Sequence, residues 1–203
     1  MQRITSLNYM EKIKVQMLIE SYEEPNKRKN LIEGFVLDYD YNYENLCVYV
    51  NEFLREVVIC IRGTANFSDV LQDFKLIAQS LTKKLRFVDN SERFKKLVEI
   101  IKDVYYKYNP KNFNIQMAGH SLGGYEIIRI ESLFPDYASN NTGFNSGSVP
   151  FFNEKIPNDF TNIINPRDII ALGFKNDSRT FNYTNSNISF NPLKNHSIHY
   201  FNK

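Results

Sequence analysis

Residues 113–118, Phe-Asn-Ile-Gln-Met-Ala, read as a strand and run without a linker into Gly119-His120-Ser121-Leu122-Gly123. From Leu122 to Phe134 the apolar content is that of a helix, closed by Pro135. A chain that passes from strand to helix through so few residues must turn sharply. Such a turn strains the backbone at its apex, and flanking glycines let the two elements approach closely because they have no Cβ. Gly124 eases the helix's approach to the sheet further. The apex residue, Ser121, is expected to project its hydroxyl into solvent above the carboxyl edge of the sheet. The N–H of Leu122 points at the same space from the first helical turn, where backbone donors lack intrahelical partners. A Gly-X-Ser-X-Gly match in a loop means little; one flanked by strand and helix is the setting in which the motif presents a nucleophile.

The rest of the chain supplies a sheet for this turn. Tyr9, Ile13, Met17 and Leu18 form a helical stripe within residues 8–24, ended by Pro25. Residues 33–40, 45–51 and 56–62 are β-rich runs. Val57-Val58-Ile59-Cys60-Ile61 is apolar at every position, as a strand covered on both faces should be. Residues 91–108 predict an amphipathic helix capped at Asn90 or Ser91, with Phe94, Leu97, Val98, Ile101, Val104 and Tyr105 inward and a stop at Pro110. Residues 141–145, 160–164 and 180–183 read as further parallel strands. This alternation predicts an α/β fold, a mostly parallel central sheet with helices on both faces. With no repeat, low-complexity tract or linker, residues 1–203 are expected to form a single domain.

Composition narrows the partners. A formal charge of +2 leaves no electrostatic footprint for nucleic acid. Lys27-Arg28-Lys29 reads as a solvated loop, with weak attraction to anionic lipid headgroups as the alternative. Cys47 and Cys60 both fall in buried runs without metal-ligand spacing, which suits small core hydrophobes in a reducing compartment and no bound metal. No apolar leader or membrane span is visible, so a cytoplasmic location is expected.

The strand 57–61 ends in Arg62-Gly63-Thr64, followed by Ala65-Asn66-Phe67-Ser68-Asp69-Val70-Leu71-Gln72-Asp73. A buried strand, Arg-Gly-Thr and a polar segment with paired Asp, upstream of Gly-His-Ser-Leu-Gly, resembles the class 3 lipases, which include the fungal triacylglycerol lipases. The resemblance implies an α/β-hydrolase fold and assigns Thr64 to an oxyanion hole, through its N–H and hydroxyl, opposite the Leu122 N–H. It also implies a lid helix over the site. Phe67, Val70, Leu71 and Phe74 have the i, i+3, i+4, i+7 spacing for one, a spacing that plain core packing would share. The family's lid tryptophan is missing, because the chain has none. Residues 76–88, with Lys83 and Lys84, could equally form an interfacial surface.

In α/β-hydrolases the acid and the histidine follow the nucleophile in that order. Asp136, Asp159, Asp168 and Asp177 lie downstream of Ser121. Asp168 follows the run 161–165 and so sits just past a strand's carboxyl end, where functional residues of parallel sheets gather, whereas Asp159 precedes the strand. The stretch Asn165-Pro166-Arg167-Asp168-Ile169 also resembles the family's Asn-X-X-Asp acid motif. Of three histidines, His120 is inside the turn and reads as a packing residue or a support for the catalytic groups. His196, followed by Ser197 and later Tyr200, fits the family's C-terminal base; His199 is the competitor.

The resemblance therefore implies a serine ester hydrolase with Ser121, Asp168 and His196 as its triad. It implies a lipid or ester substrate, transient contact with a membrane or lipid-droplet surface, and no cofactor. The same residues would serve a thioesterase or acyltransferase on small soluble acyl groups. A non-catalytic lipid-binding module is the reading from another class, and it has no physical need for all three. The chain is shorter than the usual family catalytic domain, so its loops must be trimmed.

Overall fold

The apolar run forms β5 (Glu56–Ile61), and the sheet extends from it in two directions. The computed structural model describes residues 2–64, 91–147, 156–168, 171, 177–184 and 192–202. On one side of β5, β4 (Leu46–Asn51), β3 (Phe35–Tyr43) and β2 (Leu31–Ile32) pair antiparallel through short turns. On the other side, β6 (Asn114–His120), β7 (Asn141–Phe144), β8 (Phe160–Ile164) and β9 (Thr180–Tyr183) pair parallel. The far edge is β1 (Gln2–Ile4), parallel to β9. Among the described residues, nine strands run in the order β1-β9-β8-β7-β6-β5-β4-β3-β2. The sheet is mostly parallel, as expected; β1 and β2, three and two residues long, carry too little pattern to be read in advance.

Each strand's alternation divides the core between the two faces. Val57, Ile59 and Ile61 of β5 pack with Phe94, Leu97, Ile101 and Val104 of α2 (Glu92–Tyr108) and with Ile127 and Ile130 of α3 (Leu122–Leu133). Val58 and Cys60 face the opposite way, against Ile13, Met17 and Leu18 of α1 (Tyr9–Ser21) and against Ile198 and Phe201 near the C-terminus. Local chemistry fixes the helix starts. Asn8 and Glu11 form a reciprocal capping box on α1, and Ser91 Oγ accepts the Phe94 N–H on α2, so of the two expected caps it is Ser91 that acts.

One reading changes. Arg28 is buried rather than solvated: its guanidinium donates to the carbonyls of Glu20, Ser21, Glu23, Tyr43, Glu44 and Leu46 and to Asn42 Oδ1. It ties the end of α1 to the β3–β4 turn, because a planar five-donor group can bond carbonyls at a helix end and at a hairpin turn at once. It is therefore withdrawn from any lipid surface. Cys47 and Cys60, unrelated by sequence spacing, stand directly opposite each other on β4 and β5, both buried as free thiols.

The parallel register brings the carboxyl ends of the central strands level. Ile61 lies opposite Gly119, His120 opposite Phe144, and Phe144 opposite Ile163. Whatever follows β5, β6, β7 and β8 therefore converges on one edge.

Candidate active site

At that edge β6 gives way to α3 through Ser121, whose φ of 57° and ψ of −123° place a non-glycine residue in a region L side chains rarely adopt. Neighbouring backbone holds it there. The Ser121 N–H donates to the Phe144 carbonyl at 3.2 Å, and its own carbonyl accepts from Gly147 at 2.8 Å and Tyr125 at 3.2 Å. A Cβ on Gly119 would lie 2.6 Å from the Gly123 carbonyl carbon, so β6 and α3 touch only because position 119 is glycine. Gly124 answers a different constraint, since a Cβ there would reach Ser146 Oγ at 2.3 Å.

Ser121 is not open to solvent as the turn alone suggested; it is 2% exposed. Gly63 packs on its Cβ, Gly147 bonds its carbonyl, and the imidazole of His196 occupies its hydroxyl side. His196, at the end of α4 (Pro192–His196), has Nε2 2.7 Å from Ser121 Oγ and Nδ1 2.7 Å from Asp168 Oδ2. A carboxylate can only accept, so Nδ1–H donates to Asp168 and Nε2 is left to accept the serine hydroxyl proton. Asp168 and His196 are both buried. Asp168 follows β8, with its N–H bonded to the Asn165 carbonyl at 2.9 Å. His199 is exposed in the terminal turn, and Asp159 lies at the opposite, amino end of β8, where its carbonyl accepts the Asn141 N–H.

The loop after β5 borders the serine. Arg93 donates to the Arg62 carbonyl at 2.6 Å while paired with buried Glu126, whose carboxyl burial pushes up against the pull of that guanidinium. The Gly63 N–H donates to Tyr22 Oη at 2.9 Å. Thr64 follows, half-buried, and Leu122 opens α3 beside Ser121. Residues 67–74 and 76–88, the expected lid and interfacial stretch, lie outside the described residues.

Further residues complete the arrangement and had no motif to announce them. Asn145, just past β7 at φ 46°, donates from Nδ2 to the carbonyls of Asn195 (2.9 Å) and His196 (3.2 Å), and its Oδ1 accepts the Asn165 N–H at 2.7 Å. Asn165 Nδ2 also donates to the Asn195 carbonyl, at 3.0 Å. His120 is buried between Tyr22 and the His196 backbone. An Asn closing the run expected over residues 141–145 is the one signal that could have singled out Asn145, since Asn tolerates positive φ at a strand's end.

The architecture has close counterparts among solved structures. The Lip2 lipase from Yarrowia lipolytica aligns with a TM-score of 0.55 at 15% identity, over 96% of this chain and 86% of that one. A fungal lipase solved as an inhibitor complex aligns at 0.51 and 15%, over 82% and 76%. Lipase II from Rhizopus niveus aligns at 0.50 and 15%, over 80% and 73%. The chain has the α/β-hydrolase fold. No protein-family model matches it, and no curated protein matches it by sequence. Within this hydrolase fold, no group of three or more His, Cys, Asp or Glu among the described residues is placed to hold a metal ion. No helix among the described residues is long and apolar enough to cross a membrane.

Proposed function

We propose that the chain is a serine hydrolase of carboxylic esters, acting on lipid substrates through a Ser121–His196–Asp168 triad and an acyl-enzyme. The observation that carries this reading is the continuous hydrogen-bond chain from Ser121 Oγ through His196 to Asp168 Oδ2, both links 2.7 Å, at a strained strand-to-helix turn. His196 Nε2 takes the hydroxyl proton as Oγ attacks the ester carbonyl. Asp168 holds the imidazole's tautomer and stabilises the imidazolium. The backbone N–H of Leu122 and the N–H and hydroxyl of Thr64 receive the developing oxyanion, each such donor contributing about 2.7–4 kcal/mol in comparable sites. The imidazolium then protonates the departing alcohol. Water, activated by His196, cleaves the acyl-enzyme and restores Ser121.

The test is turnover of p-nitrophenyl esters across a range of acyl lengths by wild type, Ser121→Ala and His196→Ala. Each variant is expected to lose activity by at least about a thousandfold. Absence of Ser121-dependent turnover at every length, with thioesters and acyl acceptors also inert, sinks the enzyme reading in favour of a binding module. Loss on His199→Ala in place of His196→Ala overturns the choice of base. A rate jump above the substrate's solubility limit supports action at a lipid surface, and smooth saturation places the substrate among soluble esters.

A further inference from the structure

We propose that Tyr22 and His120 form a positioning relay that locks the oxyanion loop and the catalytic base into one register. The proposal rests on the ester-hydrolase reading for its catalytic consequence, and on geometry for the relay itself. Three hydrogen bonds link the two sides of the site: Gly63 N–H to Tyr22 Oη at 2.9 Å, Tyr22 Oη to His120 Nδ1 at 2.7 Å, and His120 Nε2 to the His196 carbonyl at 2.6 Å.

Their ends fix every proton between them. An amide N–H can only donate and a carbonyl can only accept. Tyr22 Oη therefore accepts from Gly63 and donates its own proton to His120 Nδ1, leaving Nε2–H to donate to His196. Each group is used once as donor and once as acceptor, so a neutral imidazole in the Nε2–H form satisfies the whole chain. Burial supports this state at both positions. It pushes the Tyr22 phenol up to about 12, against the Gly63 hydrogen bond and the charges of Arg93 and Arg62. It pushes the His120 imidazole down to about 3, aided by the positive charge available to His196 and opposed by the backbone bond.

The relay connects parts that the sheet alone leaves independent. Gly63 belongs to the loop after β5, and His196 to the short helix near the C-terminus, far along the chain. Tyr22 caps the end of α1, an element that supplies no group to the proposed chemistry. None of the three relay bonds is made to Ser121, yet the outer two end one residue from Thr64 and on the backbone of His196, and the middle one ends on the residue before Ser121. Asn145 Nδ2 meets the same His196 carbonyl from β7, so the base is held from two directions while the Gly63 amide rests on Tyr22. A phenol withdrawn from this position frees the Gly63 amide and the His120 acceptor together.

Tyr22→Phe removes the hydroxyl and keeps the ring's packing. The expected result on a p-nitrophenyl ester is a fall in kcat of about ten- to a hundredfold, with KM within about twofold, because the groups misplaced act on the transition state. His120→Gln, whose amide can still donate to the His196 carbonyl, is expected to retain more activity than His120→Leu. Nitrogen-15 labelling of the three histidines gives a readout independent of turnover. His120 should appear as the neutral Nε2–H tautomer and stay unprotonated from about pH 8 to 5, although a free imidazole titrates near 6.5. In Tyr22→Phe its signals and the Gly63 amide should both move. An Nδ1–H tautomer, ordinary titration near 6.5, or a Tyr22→Phe kcat within twofold of wild type overturns the relay. If wild type shows no Ser121-dependent turnover, the hydrolase reading fails, and the labelled histidines still decide for or against the relay.

Discussion

Gly123→Ala is the substitution this site should tolerate least. A Cβ at Gly123 would stand 2.2 Å from the Ile61 carbonyl oxygen, 2.8 Å from its carbon and 3.0 Å from the Arg62 oxygen. All three are backbone atoms of β5 and the loop after it, so no rotamer relieves the contact. Carbon and oxygen settle no closer than about 3.3 Å, and α3 must therefore withdraw from β5 by about 1 Å. In an exposed helix the change would stabilise by about 1 kcal/mol. Overpacking of a dense interior costs about 1–3 kcal/mol, and backbone against backbone lies at the upper end, leaving a net loss of about 2 kcal/mol. Leu122 precedes Gly123 and moves with the helix, and a 1 Å misplacement of a reacting group can cost about a hundredfold in rate. Urea unfolding at constant m-value and kcat on a p-nitrophenyl ester measure the two effects. Gly147→Ala is the control: among the described residues its Cβ would meet nothing nearer than Ser121 backbone at 3.5 Å, an ordinary contact, and stability should change by less than about 0.5 kcal/mol. Wild-type stability and rate in Gly123→Ala would refute the steric account of the turn.

The buried imidazole of His120 predicts acid lability. Its folded value of about 3 lies below the ordinary 6.5, so the unfolded chain binds the proton first as pH falls. The stability owed to neutral His120 is present above pH 6.5 and is lost as pH falls from there to about 3, in total on the order of 5 kcal/mol. His120→Gln should flatten this acid limb in urea melts; a limb of unchanged slope contradicts the assignment. Arg28→Met strands several carbonyls at the α1–hairpin junction and should cost at least about 3 kcal/mol, roughly 6–12 °C in Tm for a chain this size. Lys27→Met, at an exposed pair with Glu24, should be nearly silent, and equal effects of the two changes would contradict the buried role of Arg28.

Patterned elements were the legible ones. Residues 160–164 and 180–183 form strands with the bounds expected, and α2 differs from its expected range only in starting one residue after its cap. These segments have strong periodicity or punctuation, and both are local. Ser121 and Asp168 could be placed at one edge because a strand-to-helix turn and a strand's end leave marks in sequence order, whereas Thr64 and His196 were singled out through the family resemblance. Ser121, Asp168 and His196 lie within hydrogen-bond contact, and Thr64 follows the glycine that packs on Ser121. What went unread depends on distant partners. Arg28 looks like any basic loop residue until the carbonyls around it are known. Tyr22 reads as one more aromatic at a helix end, and its role exists only through groups 41 and 98 residues away. β1 has three residues, too short for a period, and is a strand only because β9 offers it an edge.

That edge pairing has a consequence for how the molecule is made. Gln2 sits against Phe181, and His196, whose ring contacts Ser121, is made later still. During synthesis the hairpin of β3, β4 and β5 can form while the chain is growing, since its contacts are local. β1 cannot pair until β9 has been made, and the long loop between them carries a larger closure entropy than the hairpin does. A nascent chain therefore has its sheet open at this margin, and Ser121 without its contact to His196, until both of those later segments have been made.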